Sequence, residues 1–335
     1  LVDITQFNTF GLAVYAGALV QLHTVAHVQT FIAQNRAQIL AGQVRVIGGG
    51  SNMLFTQDFA GTLVQLALTE ITEEPLGNRY VSVYAGAGVV WHDLVTYTVQ
   101  RGLGGLENLA LIWGWVGAAP MQNIGAYGAE VRDTITHVHT LEVATGQERI
   151  FTNEQCQFGY RASVFKHELA GQYWITGVRF KLDTSPALKM GYGDIQKTLA
   201  EWQLSQPTLA DVARAVAAIR TAKLPNPHQV GNAGSFFKNP EVPQELAHAL
   251  LAQHPLMPYY PQVGGLVKIP AGWLIEQAGW KGYRRGAVGV HPKQALVLVH
   301  YGGGTGGQVW QLAQDIAADV QVKFGILLTP EVNVV

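Results

Sequence analysis

The sequence predicts an α+β protein built from more than one unit, and three observations lead there. Apolar residues recur at helical spacing in some segments and in short strand-like runs in others, and the two kinds interleave along the chain. Near Thr208 the pattern changes and long helical segments take over. The 335 residues suffice for two or three domains of about 100–200 residues each.

"HVQTFIAQNRAQ" (27–38) spaces Val28, Phe31, Ile32 and Ala37 as one face of a helix, and "VRVIGGG" (44–50) reads as a strand ending in glycines. "GTLVQLAL" (61–68) and "RYVSVYAGAG" (79–88) continue the strand-like series, and "WHDLVTYTVQRG" (91–102) is a helix. A glycine-dense stretch fills 106–130, "ITHVHTLEVATGQERIFT" (135–152) predicts a hairpin turning near Thr145 and Gly146, and "YWITGVRFKL" (173–182) is another strand. Beyond the change of pattern, "DVARAVAAIRTAKLP" (211–225) places Val212, Ala215, Val216 and Ile219 on one face before Pro225 and Pro227 stop it. Helices at 244–255 and 306–325, a strand at 294–301 and a final strand within 326–335 complete the series. The implied division is 1–69, 70–207 and 208–325, with 326–335 returning toward a site in the preceding units.

Hydrophobic residues make up 48% of the chain and charged ones only 13%, so Gln, Thr, Asn and His must supply much of the surface polarity. With a net charge of −1 and "KGYRRG" (281–286) as the strongest basic patch, nucleic acid is excluded as an expected partner. The one cysteine, Cys156, cannot form a disulfide within the chain, and no Cys/His spacing suits a metal. The opening "LVDITQFNTF" lacks the layout of a secretion signal, and no apolar run approaches the roughly 18 residues of a membrane span. A soluble, cytoplasmic protein is expected.

Two glycine-rich segments are candidates for chemistry. In "VIGGGSNMLF" (46–55), Gly48, Gly49, Gly50, Ser51 and Asn52 follow a strand, where successive N–H groups can converge on an anion. A dinucleotide fingerprint needs glycine at position 53, which is Met53, and the P-loop pattern is missing. "GAAPMQNIGAYG" (117–128) offers further donors, and two such loops suit a long ligand carrying a pyrophosphate, although a pair of ordinary turns fits the residues as well. A third bend, "GNAGSFFKNP" (231–240), places Ser235 beside Lys238 and Asn239; on the residues alone it reads first as a tight turn, and it would also suit a site.

These segments occur in a collinear series: "NTFGL" (8–12), "GGGSNMLF" (48–55), "GLENLALI" (105–112), "PMQNIGAYG" (120–128), "FGYRASVFKH" (158–167), "GYGD" (191–194), "KLPNP" (223–227), "GNAGSFFKNP", "AGWLIEQAG" (271–279) and "PEV" (330–332). The series resembles, over nearly the whole chain, the UDP-N-acetylenolpyruvoylglucosamine reductase family. "YYPQVGGLVK" (259–268) resembles the tyrosine-bearing loop of its type I branch. The resemblance implies a two-subdomain FAD-binding module of the vanillyl-alcohol oxidase/PCMH type with a separate α/β substrate-binding domain. It also implies non-covalent FAD, NADPH as reductant, and UDP-N-acetylglucosamine enolpyruvate as substrate. A cytoplasmic monomer making a peptidoglycan precursor, with no metal and no membrane partner, is the corresponding picture.

Roles follow by resemblance. Ser235 is the expected proton donor, and Arg161 and Glu331 the groups that stabilise charge developing on the enolpyruvyl carboxylate. Glu331 serves in a protonated or proton-sharing form, while Arg161 supplies a permanent fork of donors. Gly48, Gly49, Gly50, Ser51, Asn52, Gln122, Gly125 and Gly128 are expected to hold the cofactor. Tyr192, Lys223, Asn239, Tyr260, Lys268 and Gln294 are expected to hold the substrate. The chain departs from the family where Trp113 replaces a usual proline, Trp115 a small residue, and Ala118 and Ala119 small hydroxyl residues; two indoles there are expected to overpack the flavin cleft. A flavin oxidase acting on sugars or lactones, and a flavin-free UDP-sugar-binding protein, are the competing readings.

Overall fold

The computed structural model describes residues 1–335. The chain divides into two compact units: 1–2, 16–49 and 60–222 form the first, and 3–15, 50–59 and 223–335 form the second.

The first unit holds two larger sheets and a two-stranded one. A four-stranded sheet orders Val2–Asp3, Tyr15–Leu22, Phe59–Leu66 and Val44–Ile47, the last two parallel with Val46 opposite Val64. Helix α1 (Val25–Leu40) starts from the Thr24 side chain, which accepts from the His27 N–H at 3.1 Å. It lays Val28, Ile32 and Ile39 onto Val64, Leu66, Leu141 and Trp174. The second sheet is antiparallel, in the order Glu148–Thr152, Ile135–Glu142, Tyr173–Asp183, Tyr80–Gly86 and Ile71–Leu76. Its edge strand "ITEEPL" carries two glutamates and a proline, so it lacks the apolar alternation that marks a strand in sequence.

Helices α2 (Trp91–Gln100), α3 (Gly193–Glu201) and α4 (Leu209–Lys223) complete this unit's core. The α4 residues Val212, Ala215, Val216 and Ile219 are buried with Ile195 and Leu199 of α3 and with Phe180 and Leu182. The division between units therefore falls after Ala222, not at the change of pattern near Thr208, because the apolar face of α4 is satisfied by the core that precedes it.

In the second unit the main sheet orders Gly231–Ser235, Val297–His300, Val288–Val290 and Arg284–Arg285. A smaller sheet joins Glu241–Pro243, Leu266–Lys268 and Tyr260–Pro261, flanked by α5 (Gln244–Gln253) and α6 (Ala271–Gln277). Helix α7 (Gly306–Phe324) opens with a reciprocal cap between Thr305 and Gln308 and ends on left-handed Gly325. It buries Val309, Leu312, Ala313, Ile316 and Val320. Phe10, Leu12 and Phe55, from the two early segments, are buried, and the Phe10 and Phe236 rings meet edge-on at 6.5 Å. The expected strand in 326–335 shrinks to Asn333–Val334, which pairs in parallel with Met53–Leu54.

Candidate functional site

In the first unit the glycine-dense segment is templated by the start of α2. The buried Trp91 indole donates to the Leu109 carbonyl at 2.9 Å, and the Trp91 N–H donates to Gly114 O at 2.9 Å. Val90 and Trp115 form a β-bridge, the Val116 N–H donates to Val89 O at 2.9 Å, and the Gly117 N–H to Ala87 O at 3.0 Å. A Cβ on Gly117 would come within 2.7 Å of the Ala87 Cβ, so this close pairing needs glycine.

That template carries residues 113–119 alongside the first glycine turn. A Cβ on Gly48 would lie 3.6 Å from the Trp115 Cβ, and one on Gly49 would lie 3.3 Å from the indole ring. The Gly49 N–H donates to no group in the chain. Trp113 is 42% exposed, whereas Trp115 is half-buried against the turn. Downstream, Gly125–Ala126 pairs with Ala129–Glu130 through a turn containing left-handed Tyr127 and Gly128. Buried Asn123, also left-handed, donates to Glu130 at 3.1 Å and to the Gly159 carbonyl at 3.0 Å, and accepts the Arg132 N–H at 3.1 Å. Gln122 accepts from Lys166 Nζ at 3.0 Å.

Arg161 lies in the turn closed by the Gly159–Ala162 bridge, at a φ of 53°. A non-glycine residue in that region costs on the order of 1–3 kcal/mol and persists where its surroundings enforce it. Its Nη2 donates to the Gly125 carbonyl at 2.9 Å, so the structure joins Arg161 to the predicted cofactor residue Gly125. Burial lowers the pKa of the Arg220 guanidinium from the usual arginine value, with the charge of Arg161 acting in the same direction and Tyr127 opposing it. Tyr192, at the start of α3, meets Tyr127 edge-on at 5.4 Å.

In the second unit the bend around Ser235 is built by a buried asparagine. Asn232 donates to the carbonyls of Pro225 at 3.1 Å and Val230 at 2.9 Å, and accepts the Gly234 N–H at 3.0 Å. Gly234 takes a φ of 69°, and a side chain on Gly231 would run into the Phe10 carbonyl. Ser235 then ends its strand exposed, its Oγ bonded to nothing in the chain.

Immediately after it the chain pairs with the segment holding Glu331. The Glu331 N–H donates to Phe236 O at 2.8 Å, Phe237 bridges Pro330, and the Lys238 N–H donates to Thr329 O at 2.9 Å. Asn52 donates to the Glu331 carbonyl at 3.2 Å. Ser235, Glu331 and Asn52, which lie far apart in sequence, thus belong to one cluster.

Of the other expected substrate residues, Tyr260 and Lys268 lie in the smaller sheet. Lys268 pairs across from Tyr260 and from Glu241, its Nζ 3.3 Å from the Glu241 carboxylate. Asn239 Oδ1 accepts the Ala271 N–H at 2.9 Å at the start of α6, and Gln294 Oε1 accepts the Leu296 N–H at 3.3 Å. Lys223 and Tyr260 are exposed. Asn8, Asn108, Asn123 and Asn232 were not among the expected site residues. Their signal was present: each is an asparagine inside one of the quoted glycine-containing motifs.

Residues 226–335 match the family profile described as UDP-N-acetylenolpyruvoylglucosamine reductase, C-terminal domain, and residues 16–153 match one described as FAD binding domain. A UDP-N-acetylenolpyruvoylglucosamine reductase from Chromobacterium violaceum is 48% identical over 331 residues, covering 98% of this chain and 96% of the relative. This chain belongs to the UDP-N-acetylenolpyruvoylglucosamine reductase family. A family member from Amoebophilus asiaticus is 43% identical, covering 100% of this chain and 98% of its own. The crystal structure of the reductase from Thermus caldophilus shares the fold, with a TM-score of 0.66 at 23% identity over 99% of this chain and 97% of that one.

Family membership brings FAD, and the residues present fit it. The Gly49 N–H has no acceptor in the chain, a Cβ at Gly49 would crowd Trp115, and one at Gly125 would come within 3.2 Å of Arg161 Nη1. A turn whose Gly49 N–H is left open and which carries no Cβ of its own suits a pyrophosphate oxygen.

Proposed function

We propose that the protein reduces the enolpyruvyl ether of UDP-N-acetylglucosamine enolpyruvate to UDP-N-acetylmuramate at the expense of NADPH, in peptidoglycan precursor synthesis, as a cytoplasmic monomer. The observation that carries this reading is the full-length match to reductases of this name, combined with the pairing that brings Glu331 beside Ser235.

FAD, when bound, supplies the hydride that it takes from NADPH. Addition of that hydride to the CH2 carbon of the enolpyruvyl group leaves an electron pair on the neighbouring carbon, delocalised into the carboxylate. Arg161 is assigned to hold those carboxylate oxygens, and the bond from its Nη2 to the Gly125 carbonyl orients the guanidinium before the charge develops. Glu331 is assigned the same oxygens through a shared proton. Ser235 Oγ gives its proton to the carbon, completing addition of H2 across the double bond, and regains one from solvent, to which the exposed side chain has access. Tyr192, Lys223, Asn239, Tyr260, Lys268 and Gln294 are assigned to the UDP-sugar portion. Gly48, Gly49, Gly50, Ser51, Asn52, Gln122, Gly125 and Gly128 are assigned to FAD. No feature of the structure or the relatives favours the oxidase or flavin-free readings.

The test is to supply the purified protein with NADPH and the enolpyruvyl substrate, follow NADPH oxidation and identify the product by mass. Substrate-dependent NADPH loss with UDP-N-acetylmuramate formed is expected. NADPH oxidation that ignores the substrate would overturn the reading.

A further inference from the structure

Leu111, two residues before Trp113, adopts a φ of 57°. A branched side chain is disfavoured there by roughly 1–2 kcal/mol, and no glycine relieves it. Two side chains from two helices hold it instead. His92, the second residue of α2, accepts the Leu111 N–H on Nδ1 at 3.0 Å. Arg220 of α4 donates from Nε to the Leu111 carbonyl at 3.1 Å. Both polar groups of this one strained peptide position are thus taken by side chains, and the chain then enters the stretch that reaches Trp115 and the Gly48–Gly49 turn.

Arg220 has no ion pair, and its only hydrogen bond is to Leu111, so its place in the fold is not that of a surface salt-bridge partner. His92 sits on the groove between α2 and α4 with Val95, Thr96, Ala213, Arg214 and Ala217. Accepting at Nδ1 requires the neutral ring with its proton on Nε2.

We propose that His92 and Arg220 are positioning residues that clamp Leu111 and thereby hold residues 113–119 in register with the glycine turn, so that protonation of His92 releases the segment and weakens FAD binding in mild acid. A protonated Nδ1 would face the Leu111 N–H donor to donor. It would also add a cation near Arg220. The charged groups facing His92 are Asp93 on its own helix and Arg220 and Arg214 on α4. Burial lowers the His92 pKa from its usual value, Asp93 opposes this, and Arg220 reinforces it, so the ring is neutral at neutral pH and the release is confined to acid. The inference rests on the assignment of the 113–128 region to FAD.

The experiment follows release of FAD from the diluted holoenzyme by free-flavin fluorescence, at about pH 8 and about pH 5.5, either side of the usual histidine value. In the wild-type protein the dissociation constant should rise on acidification, toward a limit of about tenfold for the fully protonated ring, the scale set by loss of one buried hydrogen bond. His92→Asn places Oδ1 near the position of Nδ1 without titrating, and should hold wild-type affinity at both pH values. His92→Phe should be about tenfold weaker at both, with no further pH effect. The inference is overturned if His92→Asn shows the same acid weakening as wild type, if wild type shows none, or if His92→Phe binds as tightly as wild type near pH 8. The His92→Asn comparison decides the matter even where His92→Phe fails to fold. A wild-type protein that neither carries nor takes up FAD would remove the cofactor assignment and this inference together, whereas a tight but pH-insensitive holoenzyme removes this inference alone.

Discussion

Replacing Ser235 by alanine separates chemistry from scaffolding, because the structure sets both sides of the comparison. The bend does not depend on the hydroxyl: Asn232 closes it, Gly234 supplies the left-handed step, and Ser235 pairs with Val297 through its backbone. The side chain is exposed and its Oγ is bonded to nothing in the chain. The substitution should therefore change stability by no more than about 0.5 kcal/mol, a shift of about 1–2 °C in Tm. A lost acid-base group instead slows its step by roughly 10²–10⁴-fold, or about 2.7–5.4 kcal/mol in the barrier. Reduction of the flavin by NADPH needs no proton from Ser235, while reoxidation by the enolpyruvyl substrate does. Anaerobic stopped flow, read by flavin absorbance, should show the first half-reaction within a few-fold of wild type and the second slowed by at least about 10². Cysteine at this position, with a more acidic proton, should recover part of the loss. Normal reoxidation in the alanine variant would refute proton donation, as would a cysteine variant that binds substrate yet is equally slow.

Four further outcomes are expected. Trp113→Pro combined with Trp115→Ser should tighten FAD by about 5–150-fold if the indole against Gly48 and Gly49 overpacks the cradle, at about 1–3 kcal/mol; weaker binding in fluorescence titration would make the indole part of the cradle. Asn108→Leu removes donors to the Tyr127 and Lys189 carbonyls, both at 2.9 Å, and should cost about 2–4 kcal/mol by denaturant titration; an unchanged midpoint would contradict the role given to this buried amide. Burial pushes the Cys156 thiol up to about 12, so alkylation near pH 8 should be absent by mass until the chain is unfolded, and rapid labelling of the folded protein would be inconsistent with that burial. Burial also depresses His92, His139 and His291, so the unfolded chain binds more protons; their contribution is complete above about pH 6.5 and lost as pH falls through their folded values, which His92→Asn should partly flatten in melts across that range.

Helices α1, α2, α4 and α7 were legible because each repeats its apolar positions over several turns. Helix α3 was not: within "GDIQKTLAE" only Ile195 and Leu199 are buried, too few to set a period. Strand Ile71–Leu76 was hidden because an exposed edge carries charge and proline instead of alternation. The glycine motifs marked where the backbone is unusual, but not what holds it there. Asn8 donates to the carbonyls of Ile4, Thr5 and Leu12, and Asn232 binds three backbone groups of its own bend; such roles depend on where neighbouring carbonyls arrive, which spacing does not encode. His92 reads from sequence as a residue at a helix start, and only the left-handed Leu111 against it reveals an anchor.

The second unit is sewn from three separated stretches, and this constrains its manufacture. Asn52 and the Glu331 carbonyl it holds are 279 residues apart, and Met53–Leu54 waits for Asn333–Val334 before it has a strand to pair with. At about 5–20 residues per second, a ribosome takes roughly 15–55 seconds to deliver the partner. The first unit, which ends at residue 222, is complete and able to fold before that partner arrives, while Phe10, Leu12 and Phe55 still await the remainder of their own unit. A gene fragment encoding 223–335 would lack those three side chains and the Phe10 carbonyl against which Gly231 packs. Supplying 1–59 as a separate polypeptide should therefore rescue such a fragment better than extending it back to residue 60.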